Sequence, residues 1–159
     1  MPLIVTGSIG IDSIESPTGN AENVLGGSSI YFAAAASFFG PVRLVGAVGD
    51  DFPPEFLQSF KHFQVDLAGL EQRKGSKTFR WRGKYSDDMN HRQTLDVQLN
   101  VLAEALPPVP EHYRDSRYVF LANTHPALQD QTIQPQKLVG DSHAGRRLIH
   151  TESARWSAG

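Results

Sequence analysis

The residues best suited to chemistry in this chain cluster around a double glycine. Gly26 and Gly27 stand just before an apolar run, in LGGSSIYFAAAASFFG. Neither carries a Cβ, so the backbone there can come close to a ligand. The amides of Ser28 and Ser29 would open the helix that follows, where free N–H groups await an acceptor. Ser28 or Ser29 reads as its N-cap. Upstream, GSIGID ends on Asp12, whose carboxylate has about four acceptor sites and so would take two hydroxyl donors. By position alone Asp12 reads as a turn or cap residue. Asp50 and Asp51 read as a solvated turn or cap, and Arg80 and Arg82 as a solvated strand face. Phe79 and Trp81 read as packing or self-association contacts. The six histidines show no HxH or HExxH spacing and there is no cysteine, so we read no metal site.

These residues need elements to hold them. Leu3 to Thr6 is a short apolar β-type run, and GSIGIDSIES leads away from it. Gly19-Asn20 reads as a turn, with a short extended stretch at 22–25. The run from Ile30 is apolar all round, which predicts a buried helix stopped by Gly40-Pro41. Val42 to Val48 has the length and apolarity of a strand covered on both faces. Helix, turn and buried strand in that order indicate a βαβ unit. Pro53 and Pro54 open a second helix carrying Phe56, Leu57, Phe60 and Phe63. Residues 78–82 and 94–99 alternate and predict an antiparallel pair. PPVP at 107–110 is a rigid linker, and Tyr118 to Ala122 is a buried strand ending at Asn123.

The 159 residues suffice for one domain with a core. A net charge of −2 gives no attraction to nucleic acid or an anionic membrane. The longest apolar run falls short of the roughly 20 residues of a membrane span. The absence of cysteine fits a reducing cytoplasm. GSIGID offers G-x-x-G in place of the dinucleotide-binding G-x-G-x-x-G, and no glycine loop with a phosphate-binding lysine follows.

Taken together, GSIGID, Gly26-Gly27, the stretch through Gly40 to GAVGDDF, and the alternating pair after Thr78 resemble the N-terminal half of a ribokinase-type (PfkB) carbohydrate kinase, over roughly residues 3–130. The resemblance implies an incomplete α/β domain at 1–130: a ribokinase-like, mostly parallel sheet with flanking helices, plus a small antiparallel β-lid at about 76–100. Residues 131–159 are then an atypical tail, expected to be poorly ordered. Asp12 falls at the family's sugar-binding aspartate, and Gly26-Gly27 at its double glycine. Asn123 falls at a substrate-facing position that is commonly acidic. Tyr31 stands where the family has an asparagine, five residues after the first glycine. The implied activity is transfer of the ATP γ-phosphoryl group to a hydroxyl of a sugar or nucleoside, with Mg²⁺ bridging the phosphates. A cytoplasmic setting and a homodimer through the lid are implied as well. The family's catalytic aspartate lies in a GxGD motif absent from this sequence: Gly49-Asp50 belongs to the N-terminal signature, and Gly140-Asp141 lacks the earlier glycine. The chain alone is therefore expected to be inactive. The alternative is a non-catalytic module that binds a sugar or dimerises through its lid.

Overall fold

In the computed structural model, residues 2–133 and 147–150 are described. The strands are β1 (Leu3–Thr6), β2 (Gly10–Ser16), β3 (Gly19–Gly26), β4 (Val42–Gly49), β5 (Asp66–Arg73), β6 (Phe79–Tyr85), β7 (Arg92–Gln98), β8 (Tyr118–Leu121) and β9 (Arg147–His150). The helices are α1 (Ser28–Ser37), α2 (Pro54–His62) and α3 (Pro126–Ile133).

The main sheet runs in the order β5-β4-β1-β8-β9, and every neighbouring pair is parallel. The apolar sequences of β1, β4 and β8 follow from this central placement, since a parallel sheet is covered on both faces. Val5, Leu44 and Phe120 face α1 and α2, while Ile4, Val45, Val119 and Leu121 face the buried Tyr113. α2 starts behind Pro53 and packs Phe56, Leu57, Phe60 and Phe63 into the first layer, as its spacing predicts.

α1 departs from its expected burial. Ala33 lies on the sheet and Phe32 stacks on Phe120 with ring centroids 3.4 Å apart. The opposite side is open: Tyr31 is 64% exposed, and Phe38 and Phe39, just past the helix, are 78% and 93% exposed. One layer of sheet covers only one side of a helix, however apolar its whole circumference is. The N-cap also differs, since Gly27, and neither serine, precedes the first helical residue.

The second sheet is the lid, with four strands in the order β3-β2-β6-β7. β6 and β7 form the expected antiparallel pair. The other half comes from the chain's opening segment: β2 and β3 form a hairpin turning at Pro17-Thr18, and β2 joins β6 in parallel. The lid is thus mixed, and it extends well beyond residues 76–100. IDSIES and NAENVL lie mostly half-exposed or exposed, so neither carries a clean apolar face that would mark a strand. β5, rich in Asp, Glu, Gln and Gly, is equally unmarked and is defined by its pairing with β4.

Within the expected tail, β9 adds to the main sheet beside β8. Residues 134–146 and 151–159, including Gly140-Asp141, lie outside the described residues. Among the described residues no helix is long and apolar enough to cross a membrane.

Candidate functional site at the carboxyl edge of the main sheet

The C-terminal ends of β1, β4 and β8 meet the base of the lid, where open α/β sheets place their ligand crevices. Ser8, just past β1, organises this edge. Its amide donates to the Asn123 carbonyl at 3.1 Å. Its hydroxyl oxygen accepts the Ser28 amide at 3.0 Å and lies 3.0 Å from the Ser28 hydroxyl. The Ser8 carbonyl accepts from the Ser29 hydroxyl at 2.7 Å and from the Ser29 amide at 3.3 Å. The Asn123 amide in turn donates to the Ser28 hydroxyl oxygen at 2.9 Å. The first amides of α1 are therefore satisfied from within the chain and are not free for an anion, a correction to the sequence expectation.

The double glycine has an internal account too. A Cβ on Gly26 would overlap the Asp12 carboxyl group, and one on Gly27 would overlap the Ser8 carbonyl and Ile9 Cα. Gly27 also holds a φ of 105°, a conformation that side-chain-bearing residues rarely adopt. The spaces that suggested ligand approach are filled by Asp12 and Ser8.

Among the described residues, three buried polar atoms here lack a partner: Asp12 Oδ1, Asn123 Oδ1 and Thr124 Oγ1. Nearly all buried polar groups find one, so unpartnered oxygens mark a place for something else. Burial pushes the Asp12 carboxyl above its ordinary pKa of 3.8. A cavity of about 360 Å³ opens beside Asn123 and Thr124. Phe79, Leu99, Leu102 and Leu128 form its apolar walls, with Ser8 at one side. Asp12 stands next to it on the lid and not in its wall. The lid brings the two together, because Phe79 pairs with Gly10 on the strand that carries Asp12. Tyr31 is not in the cavity; its hydroxyl donates to the Leu25 carbonyl at 2.9 Å and its ring is exposed.

The acidic turn after β4 holds the lid's base. Asp51 Oδ1 accepts the Thr78 amide at 2.7 Å, and Asp51 Oδ2 accepts Arg80 at 2.9 Å. Burial works to raise the Asp51 carboxyl, but the Thr78 amide, Arg80 and the Thr78 side chain outweigh it and bring the pKa below 3.8. Asp50 accepts the Gly75 amide at 2.6 Å. Thr78 also accepts the Gly49 amide and, through its carbonyl, the Asn100 side chain. Arg82 pairs with Glu15 across the lid at 2.8 Å. These acids and arginines are structural clamps, more engaged than the solvated reading expected. Ser8 and Thr124 were not legible as site residues; the one signal for Ser8 is its place at the end of an apolar strand.

Gly26→Ala tests whether Asp12 is held by the missing Cβ. The added methyl should turn the carboxyl towards water, so the Asp12 titration measured by NMR should fall back towards 3.8. An unchanged titration would mean that Gly26 does not hold Asp12 in place.

No protein-family model matches the chain. It is 28% identical to the cytidine kinase of Thermococcus kodakarensis over 130 residues, which cover 81% of this chain and 46% of that protein. The chain thus spans about half the length of this curated relative. Its structure is similar to the ribokinase of Cryptococcus neoformans solved with ADP, with a TM-score of 0.72 at 20% identity over 93% of this chain and 50% of that one. It is also similar to the nucleoside kinase of Burkholderia thailandensis solved with inosine, with a TM-score of 0.67 at 14% identity over 93% and 51% of the two chains. The chain has the ribokinase-like α/β fold, over about half the length of the kinases that share it.

Proposed function

We propose that this chain is the acceptor-binding, N-terminal part of a ribokinase-type kinase and holds the hydroxyl groups of a sugar or nucleoside. The observation that carries this reading is the set of unpartnered oxygens on Asp12, Asn123 and Thr124. An ionised carboxylate, an amide oxygen and a hydroxyl together can accept from a hydroxyl-rich ligand. The apolar walls of the adjoining cavity leave room for a flat ring, which favours a nucleoside over a free sugar. Gly26 and Gly27 act by seating Asp12 and Ser8, and Tyr31, outside the cavity, takes no part in this reading.

ATP and Mg²⁺, which the resemblance implies, find no fitting cradle among the described residues. The α1 amides are already bonded to Ser8, and no cluster of three metal-ligating side chains is present there. In this reading the phosphoryl-transfer step falls to groups outside the described residues, in a cytoplasmic kinase that pairs through its lid. The occupied α1 amides favour one second reading, a non-catalytic sugar-binding or dimerisation module.

Calorimetric titration of the whole chain with cytidine, inosine, D-ribose and D-fructose tests the binding role. We expect saturable heat with at least one of them, and no ligand-dependent ADP release when ATP and Mg²⁺ are added. Absence of binding to all four would sink the acceptor-site reading, and ADP release would move the chemical step into this chain.

A further inference from the structure

We propose that the outer flank of α1, with the groove beside it, is an interface between two copies of this chain, separate from both the acceptor site and the lid. A helix apolar all round belongs in a core, yet the sheet covers only one side of α1. Tyr31, Ala35 and Phe38 recur at helical spacing along one stripe, and all three are exposed. The Tyr31 hydroxyl donates to the Leu25 carbonyl, so its ring presents apolar surface. Phe38 is held edge-on against Phe63, just past α2, with ring centroids 6.0 Å apart. Next to this stripe a groove of about 330 Å³ opens at the amino edge of β1 and β4, lined by Leu3, Phe32, Ala35, Phe39 and Pro41. Phe39, one of its walls, projects almost fully into solvent.

This patch carries both halves of a self-complementary contact. A two-fold interface brings the same surface of each copy together, so it must offer a projection and the recess that receives it. Phe39 is the projection and the groove is the recess. An apolar cavity of roughly 150 Å³ holds a benzene ring, so the groove has room for a phenyl ring of the second copy. Charge selects the same occupant. No charged residue lies between Glu22 and Arg43, and Arg43 turns to the other face of the sheet, over Tyr113, where it pairs with Asp115. Two copies of this stretch meet without repulsion, while a charged peptide or nucleic acid finds no counter-charge on it. Covering the exposed parts of Tyr31, Phe38 and Phe39 in both copies removes roughly 900 Å² from water. The groove walls bring the total to the ~1,000 Å² that a specific interface needs.

The chain has no cysteine, so Ala35→Cys places a single thiol in the groove. We expect a short bis-maleimide to link this variant into dimers and to leave Leu95→Cys, a control with its thiol on the lid, largely unlinked. Sedimentation across a dilution series gives a second readout, in a Leu95→Asp background that sets a charge on the lid's exposed side. That protein should still dimerise. Adding Phe39→Asp should raise its dissociation constant at least about tenfold, while Phe39→Leu stays within about threefold. Phe39 is exposed, so neither change disturbs the core. Monomers at every concentration in Leu95→Asp, or a dissociation constant that Phe39→Asp leaves unchanged, would overturn the interface. Cross-linking of Leu95→Cys in place of Ala35→Cys would move the pairing to the lid and overturn it as well. Growth beyond the dimer would do the same, since a two-fold contact closes on itself.

Discussion

Gly27→Ala should lower the melting temperature of the chain substantially. Gly27 holds a φ of 105° and a ψ of 138° as the residue before α1. Placing alanine in a sparsely populated backbone region costs about 1–3 kcal/mol. The new methyl would also overlap the Ser8 carbonyl and Ile9 Cα, which are backbone atoms and cannot rotate aside. Relief requires the turn between β1 and β2 to move, and that turn carries the Ser8 bonds to Ser28, Ser29 and Asn123. A total of about 3 kcal/mol or more is expected, against the roughly 5–15 kcal/mol that holds a typical domain. For a chain of this length that corresponds to a melting temperature lower by about 6–12 °C. A calorimetric melt within about 2 °C of the parent would show that the turn is looser than its bonding indicates. Gly26→Ala makes the contrast, since its added methyl meets a side chain that can swing away.

That contrast shows where sequence reasoning succeeded and where it stopped. The parallel core was legible because β1, β4 and β8 are short apolar runs of strand length, a pattern typical of strands covered on both faces. α2 was legible from Pro53-Pro54 and four apolar residues at helical spacing. The hairpin of β2 and β3 was not, because most of its residues are at least partly exposed and alternation never develops. That omission had a consequence for the site. With β2 unrecognised as a strand, Asp12 had no neighbours, and its lateral pairing with Trp81 could not be read. The double glycine was found for its lack of Cβ atoms, but the sequence cannot say what fills the space. Ser8 fills one part and the Asp12 carboxyl the other, through contacts between residues 14 or more positions apart. The exposed side of α1 was unreadable for a related reason. An apolar circumference says that a helix can be covered, and only the placed sheet shows which side is.

Asp12→Asn should move affinity and stability in opposite directions. The substitution keeps the size of the side chain and removes its charge. If Asp12 accepts two hydroxyl donors, the loss of charge weakens bonds worth about 1.5–3 kcal/mol each. Affinity for whichever probe binds the parent should fall roughly tenfold to a hundredfold. Stability follows from the sign of the Asp12 shift. Burial raises its folded pKa above the ordinary 3.8, so the folded chain holds the proton more tightly than the unfolded one. Its contribution to stability is therefore full below the unfolded value and is lost as pH rises through the folded value. At pH 7 the charged, partly buried carboxylate with an unpartnered oxygen is a liability that the neutral amide of the variant does not carry. Asp12→Asn should melt higher than the parent at pH 7, and the difference should close as the pH approaches about 3, below the unfolded value. A turn or cap aspartate gives the reverse, since an asparagine there would lose a charge-assisted bond and melt lower at neutral pH. Melts across that pH range, paired with calorimetry at pH 7, separate the two roles: weaker binding with a higher melting temperature belongs to a carboxylate kept in place for a ligand.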